Sequence, residues 1–397
     1  MMDQVRFGIV GIGNMGSSHV RFIGEMSNAK LTAVCDIDPG AFDRIAPETR
    51  EKIRCFTDLD AFLAEGETDA VIVAVPHRFH PAIAIRTMNA GKHIVVEKPI
   101  AVHKAEALRL IAEAKKHPGL VKSLMFNQRT IPAHKKIKQM IDSGELGRIT
   151  RVNWIITDWF RTQHYYDSGG WRATWRGEGG GVLLNQCPHQ LDLMQWFFGM
   201  PVSVRAAVKL GKYHDIEVED EVNAYFEYAD GKVGNFIAST GEMPGTNRLE
   251  ITADRGRLVF ENGLLEFIRN EIPASEFRRT STSSFGVCDN WRCTINVRTP
   301  AGGVRQHRSI LENTAECILR GTPLIAPMEE GIRGLELGNA ILLSGLKDRS
   351  VSLPIDAAEF AAELEKLIAA GRCRKKESAS GAAVDAGFGD SFGSGAL

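Results

Sequence analysis

The chain reads as a doubly wound α/β unit with a parallel sheet, followed by an α+β domain on a large, mostly antiparallel open-faced sheet. Three observations carry this. Apolar runs alternate with amphipathic stretches over residues 5–126, and the first run passes straight into a glycine-spaced turn. From residue 149 onward, alternating apolar runs follow one another across tight-turn signals.

The first run, Val5 to Val10, leads into Gly11-x-Gly13-x-x-Gly16, and a helical pattern over 18–27 sets Val20, Ile23 and Met26 on one side. A second apolar strand, Leu31 to Cys35, ends at the acid Asp36. Strand, glycine turn, helix and acid in this order form the Rossmann dinucleotide fingerprint, with Gly11, Ile12, Gly13, Asn14, Met15 and Gly16 as the cofactor turn. The first glycine permits the tight turn, the second lets backbone approach a pyrophosphate, and the third lets helix pack on strand. The helix N-terminus then offers free N–H groups and a positive dipole end. A carboxylate at Asp36 accepts hydrogen bonds from ribose hydroxyls and repels a 2′-phosphate. The run Cys35-Asp36-Ile37-Asp38 brings no arginine or serine directly after it, so NAD is favoured over NADP. Asp36 or Asp38 can instead cap the helix starting near Pro39; one of the two could do each job.

Further strands are expected at 70–75, 93–96 and 120–126, with crossover helices at 81–90 and 104–116; Gly91 and Gly119 supply C-cap signals. A linking helix, Ala133 to Ser143, precedes the change of pattern. The alternating strands then run Ile149 to Phe160, Val202 to Leu210, Glu221 to Tyr228, Val233 to Thr240, Arg248 to Ala253, Arg257 to Glu261 and Leu264 to Ile268. Ala229-Asp230-Gly231 and Asn262-Gly263 join neighbouring members as hairpins. Helices at 308–320 and 330–345, a short strand Val351 to Leu353 and a helix at 356–370 complete the pattern. The division expected is 1–126 for the dinucleotide-binding domain, 127–373 for the substrate and oligomerisation domain, and 374–397 for a Ser/Ala/Gly-rich disordered tail. One sheet face is apolar and the other mixed, which predicts a homodimer or homotetramer.

Length and composition bound the function. At 397 residues the chain suits two domains, and Lys+Arg at 48 against Asp+Glu at 49 leaves no field to recruit nucleic acid or an anionic membrane. The 7 cysteines are scattered without CxxC spacing, which argues for reduced thiols in a cytoplasmic compartment. The first strand begins by residue 5, so no signal peptide is expected. No apolar run approaches the roughly 20 residues of a membrane span.

Two clusters could carry chemistry. Glu97-Lys98-Pro99 follows an apolar strand and sets a carboxylate and an ammonium at the nucleotide edge of the sheet, or else is a surface ion pair before a loop. Gly179-Gly180-Gly181 leads to Asn185, His189 and Asp192, spaced i, i+4 and i+7 for one helix face. Pro188 fits best in a first helical turn, which can leave Asn185 ahead of the helix. A histidine backed by Asp192 after a flexible glycine run is a catalytic candidate. The aromatic and arginine-rich stretch Trp159 to Trp175, with Trp171 and Arg172, suits a polyhydroxylated ligand or forms a core-edge cluster with solvated arginines. No metal is expected, since Cys187 and His189 are only two candidate ligands.

These landmarks, in order from the first strand to the helix ending near Ala370, resemble the glucose–fructose oxidoreductase / inositol dehydrogenase / rhizopine-catabolism (Gfo/Idh/MocA) family. The sharpest elements are Gly11-x-Gly13-x-x-Gly16, Glu97-Lys98-Pro99, Trp171-Arg172 and the glycine run leading to His189-x-x-Asp192. The resemblance implies hydride movement between nicotinamide and a sugar, cyclitol or sugar derivative. It implies Lys98 as the active-site lysine, His189 as acid/base and Glu97 at the nicotinamide ribose. His80 in Pro76-x-x-x-His80 and Gln128 match positions near the cofactor. Many inositol dehydrogenases carry aspartate where this chain has Asn185, so no carboxylate serves as base there and Asn185 can only orient. The expectation is an NAD-dependent dehydrogenase for a ring hydroxyl of a sugar, cyclitol or glycoside, the last yielding a keto-glycoside. Two alternatives are redox-neutral glycoside cleavage by transient oxidation and a non-catalytic nucleotide or sugar sensor; intact Lys98 and His189 argue against the sensor.

Overall fold

The computed structural model describes residues 3–298, 303 and 305–371; the tail expected from 374 lies outside the described residues. The N-terminal half forms a six-stranded sheet from β1 (Val5–Val10), β2 (Ala29–Cys35), β3 (Arg54–Phe56), β4 (Ala70–Val73), β5 (His93–Val96) and β6 (Lys122–Leu124). Its order is β3-β2-β1-β4-β5-β6, with every neighbouring pair parallel. All four residues of β4 are buried, as expected of a parallel strand covered by helices on both faces. The strand β3 has no counterpart in the sequence reading, because three largely exposed edge residues show no periodicity. The order reverses between β1 and β4, and the crevice at the carboxyl ends of those strands is where such sheets take ligands.

The second half builds a nine-stranded sheet from β7 (Ile149–Ile156), β8 (Ser203–Leu210), β9 (Glu219–Glu227), β10 (Val233–Ser239), β11 (Asn247–Ala253), β12 (Gly256–Glu261), β13 (Leu264–Asn270), β14 (Asn290–Ile295) and β15 (Val351–Ser352). The order is β14-β13-β12-β11-β7-β10-β9-β8-β15. Hairpin pairing is antiparallel as expected, but β7 inserts between two hairpin series and runs parallel to β10. Val152 thus faces Ile251 on one side and Gly234 on the other. The sequence reading missed β14, a six-residue strand at the sheet edge with no fully buried position.

Val222, Ala224 and Phe226 of β9 point into the core, while Asn223, Tyr225 and Glu227 point out. The inner face is covered by the helices Pro188–Phe198 and Gly331–Lys347. The outer face is polar, with Arg248 bridging Glu250 (2.9 Å) and Glu261 (2.6 Å). The chain finally returns to the first sheet. Helix Gln306–Arg320 packs on helix Asn14–Gly24, and Leu124 N–H of β6 donates to Ala326 O (3.0 Å). Among the described residues no helix is long and apolar enough to cross a membrane.

Candidate active site

The glycine turn after β1 separates packing from binding. Gly11 has φ +92°, and a Cβ there would meet Ala74 O at 2.5 Å; one on Gly16 would lie 1.8 Å from Gly11 O. Those glycines are required by the protein itself. A Cβ on Gly13 would meet nothing within 4 Å, so that side of its backbone is left open for a ligand. The helix Asn14–Gly24 begins there with no side-chain cap and no acid in its first turn, leaving its N–H groups and dipole for an anion. The two acids divide the work. Asp38 caps the turn at Pro39 by accepting from Gly40 N–H (2.9 Å), and Asp36 accepts from Ile12 N–H of the glycine turn (2.7 Å). This arrangement fits a nicotinamide dinucleotide.

The Glu97-Lys98-Pro99 segment stands at the end of β5, with Lys98–Pro99 cis. Glu97 is buried, so the segment is no surface ion pair; its Oε1 takes a 2.7 Å hydrogen bond with His19 Nε2 on the glycine-turn helix. Burial pushes that carboxyl up, but the hydrogen bond with His19 and the nearby Lys98 charge outweigh it and hold Glu97 below its ordinary value. His80 sits between two loops, Nδ1 at Pro99 O (2.7 Å) and Nε2 at Val75 O (2.8 Å), tying the ends of β4 and β5 together. Gln128 follows β6 in the 127–130 turn, where its carbonyl accepts from His134 Nδ1 (2.9 Å).

Lys98 reaches across to the second domain: its Nζ donates to Asn185 O at 2.7 Å. Burial lowers its pKa, Glu97 and Glu178 oppose that, and Arg172 and Arg161 add to it, leaving it below the ordinary lysine value. The glycine run ahead of Asn185 is packed rather than flexible. A Cβ on Gly179 would meet Val102 at 2.2 Å and one on Gly181 would meet Glu219 O at 2.0 Å. Glu219 was not singled out from sequence; its Oε1 accepts from Gly181 N–H (2.9 Å) and Leu183 N–H (3.1 Å). Burial pushes its carboxyl up to about 7.

The helix begins at Pro188, with Cys187 at its cap, so Asn185 lies ahead of it. His189 is buried in the first turn, and its Nδ1 has no hydrogen-bond partner among the described residues. Burial, followed by the charge of Lys98, pushes its pKa well below 6.5, so the ring stands neutral. Asp192 does not back it, which corrects the sequence reading. Its carboxylate is taken by Arg129 in a two-pronged bridge (2.6 and 2.8 Å) and by Gln195 Nε2 (2.9 Å). A planar guanidinium fork from the 127–130 turn out-competes an imidazole one helical turn away.

The aromatic stretch closes over the same edge. Trp171 meets the His77 ring edge-on at 5.4 Å. Arg172 donates to Tyr165 Oη (2.9 Å) and lies 4.7 Å over the Tyr165 ring and 4.8 Å over Trp171. Glu178 was also missed by the sequence reading, although it directly precedes the glycine run. It is buried, its Oε1 accepts from Asn185 Nδ2, and its Oε2 accepts from Ala173 N–H (2.7 Å). Among the described residues no group of three or more His, Cys, Asp or Glu side chains is placed to hold a metal ion.

Comparison with known proteins places this geometry among relatives. Residues 5–123 match the model of the oxidoreductase family with NAD-binding Rossmann fold, and 134–259 match the Gfo/Idh/MocA C-terminal domain. An inositol 2-dehydrogenase of Saccharopolyspora erythraea is 35% identical over 246 residues, covering 56% of this chain and 69% of that protein. A scyllo-inositol 2-dehydrogenase (NAD(+)) of Bacillus subtilis is 25% identical, covering 90% of this chain and 99% of that protein. Among solved structures, the WlbA dehydrogenase of Bordetella pertussis in complex with NADH and UDP-GlcNAcA superposes with a TM-score of 0.73. It is 27% identical, and the match covers 89% of this chain and all (100%) of that one.

Proposed function

This chain is an NAD-dependent dehydrogenase of CH–OH groups and belongs to the Gfo/Idh/MocA oxidoreductase family; we propose that it oxidises a secondary ring hydroxyl of a sugar, cyclitol or glycoside. The observation that carries this reading is the junction of the two domains at Lys98. Its Nζ donates to the carbonyl of Asn185 at 2.7 Å, and His189 stands in the first helical turn just beyond. The substrate classes follow the relatives, inositols and a nucleotide-linked sugar acid.

Gly11 to Gly16, Asp36, His80, Glu97 and Gln128 hold the cofactor in this reading, and Asp36 favours NAD over NADP by repelling a 2′-phosphate. When bound, NAD⁺ supplies the acceptor for the hydride that leaves the carbinol carbon. The chain handles the proton. His189, kept neutral by burial, takes it from the hydroxyl. Lys98 has two further N–H donors beyond its bond to Asn185 O and directs them at the substrate oxygen, where negative charge develops. Asn185 orients the hydroxyl, and Trp171 and Arg172 line the substrate side with an aromatic face and a donor fork.

The test is absorbance of reduced nicotinamide with NAD⁺ and a panel of free sugars, cyclitols, glycosides and nucleotide sugars. Lys98→Met is expected to lower kcat by about a hundredfold or more while cofactor binding is kept. Equal loss of NAD affinity would remove Lys98 from the proton chemistry. Cleaved glycoside with no net reduction would instead identify redox-neutral cleavage.

A further inference from the structure

Glu178 is 1% exposed, sits within the site and has no part in the chemistry above. Each of its oxygens accepts one hydrogen bond, from two different parts of the site. Oε1 takes the Asn185 side-chain amide, and Oε2 takes the backbone N–H of Ala173 at 2.7 Å. Ala173 is itself in the left-handed region, φ +53°, directly after Trp171-Arg172. One carboxylate therefore pins the turn that presents Arg172 and the loop that carries Asn185.

The consequence for Asn185 is chemical. Its amide nitrogen faces a carboxylate and must be the donor, which leaves Oδ1 as the only side-chain group to offer. No hydrogen bond to that oxygen is present among the described residues. The same residue's backbone carbonyl holds Lys98. We propose that Glu178 is a positioning residue, locking the Asn185 amide so that Oδ1 faces the substrate as an acceptor for its hydroxyl while the backbone carbonyl aims Lys98. The inference rests on the proposed dehydrogenase reading of this site. The pairing also explains why position 185 takes an amide here: an ionised aspartate would abut Glu178 with no donor between them.

A swap tests this. In Asn185→Asp two carboxylates meet; in Glu178→Gln the new Nε2 faces one of two donors. In the double variant the amide that Glu178→Gln introduces can donate to the new carboxylate while its Oε1 still accepts from Ala173. Every group is then satisfied and net charge is unchanged. Measured on the full chain with NAD⁺ and the panel substrate it turns over fastest, each single variant is expected to lose about tenfold or more in kcat and the double to return within about threefold of wild type. Thermal melting of the same four proteins should show the same non-additivity without depending on turnover. The acid limb of the Asn185→Asp profile should move to higher pH, since two abutting carboxylates favour keeping one proton between them; Glu219 adds to this, and Arg172 and Lys98 oppose it. Losses that simply add in the double, in rate and in melting, overturn the proposal, as does full kcat in Glu178→Gln. A wild type silent across the panel fails the dehydrogenase reading, while coupled melting then still keeps Glu178 as the holder of Asn185.

Discussion

At the residue scale, burial decides what each titratable group can do. His189 is desolvated next to Lys98, and both effects disfavour the imidazolium. A base must be unprotonated to act, so lowering its pKa extends activity toward acid. The oxidation rate should therefore stay flat as pH falls through 6.5 and decline only well below it. A pH profile of kcat/KM with a limb at or above 6.5 would take the role of base away from His189. His307 and His134, each pushed down to about 4 by burial, are also neutral at pH 6.5, and Glu219, pushed up to about 7, is engaged with the backbone of the glycine run rather than with His189. Lys98 and His189 stand out in the sequence as candidates, through the short motifs that carry the family resemblance. Glu178 was not, because its partners Asn185 and Ala173 lie in irregular loops without a period to align them.

At the element scale, the glycine turn distinguishes what the strand–helix unit needs from what a ligand needs. Gly16→Ala forces a methyl against Gly11 O at 1.8 Å and should destabilise the fold by about 1–3 kcal/mol. Gly13→Ala meets no protein atom within 4 Å, so melting should be unchanged while NAD affinity falls about tenfold. Titration of NADH fluorescence against melting separates the two; equal affinity in Gly13→Ala and wild type would show that the cofactor does not approach that backbone. The helix Pro188–Phe198 makes a comparable point. The i, i+4 and i+7 spacing set Asn185, His189 and Asp192 on one helix face, but Asn185 lies ahead of the helix and spacing cannot report a competitor. Arg129 reaches Asp192 from 63 residues away and removes it from the site.

At the scale of the whole molecule, the two domains touch just beyond β5, where Lys98 holds the Asn185 carbonyl, and the last third of the chain returns to brace the first domain along β6. The outer face of the nine-stranded sheet is left with Tyr225 at 40% and Leu264 at 60% exposure among charged neighbours. We read this face as the surface on which a second copy packs. Light scattering should give the mass of a dimer or tetramer, and a monomer at micromolar concentration would refute it.

Local patterns along the chain specify the two-sheet architecture and the cofactor turn, and bring Lys98 and His189 forward as candidates. Each is written in short-range periodicity, in a glycine that must take positive φ, or in residues adjacent to a strand end. Three-dimensional packing alone settles that β7 lies between two hairpin series, that Asp192 belongs to Arg129, and that Glu178 holds Asn185. Those outcomes depend on which of several polar partners the fold brings nearest to a buried site. A buried carboxylate takes the best-matched donor in space, wherever in the chain it comes from.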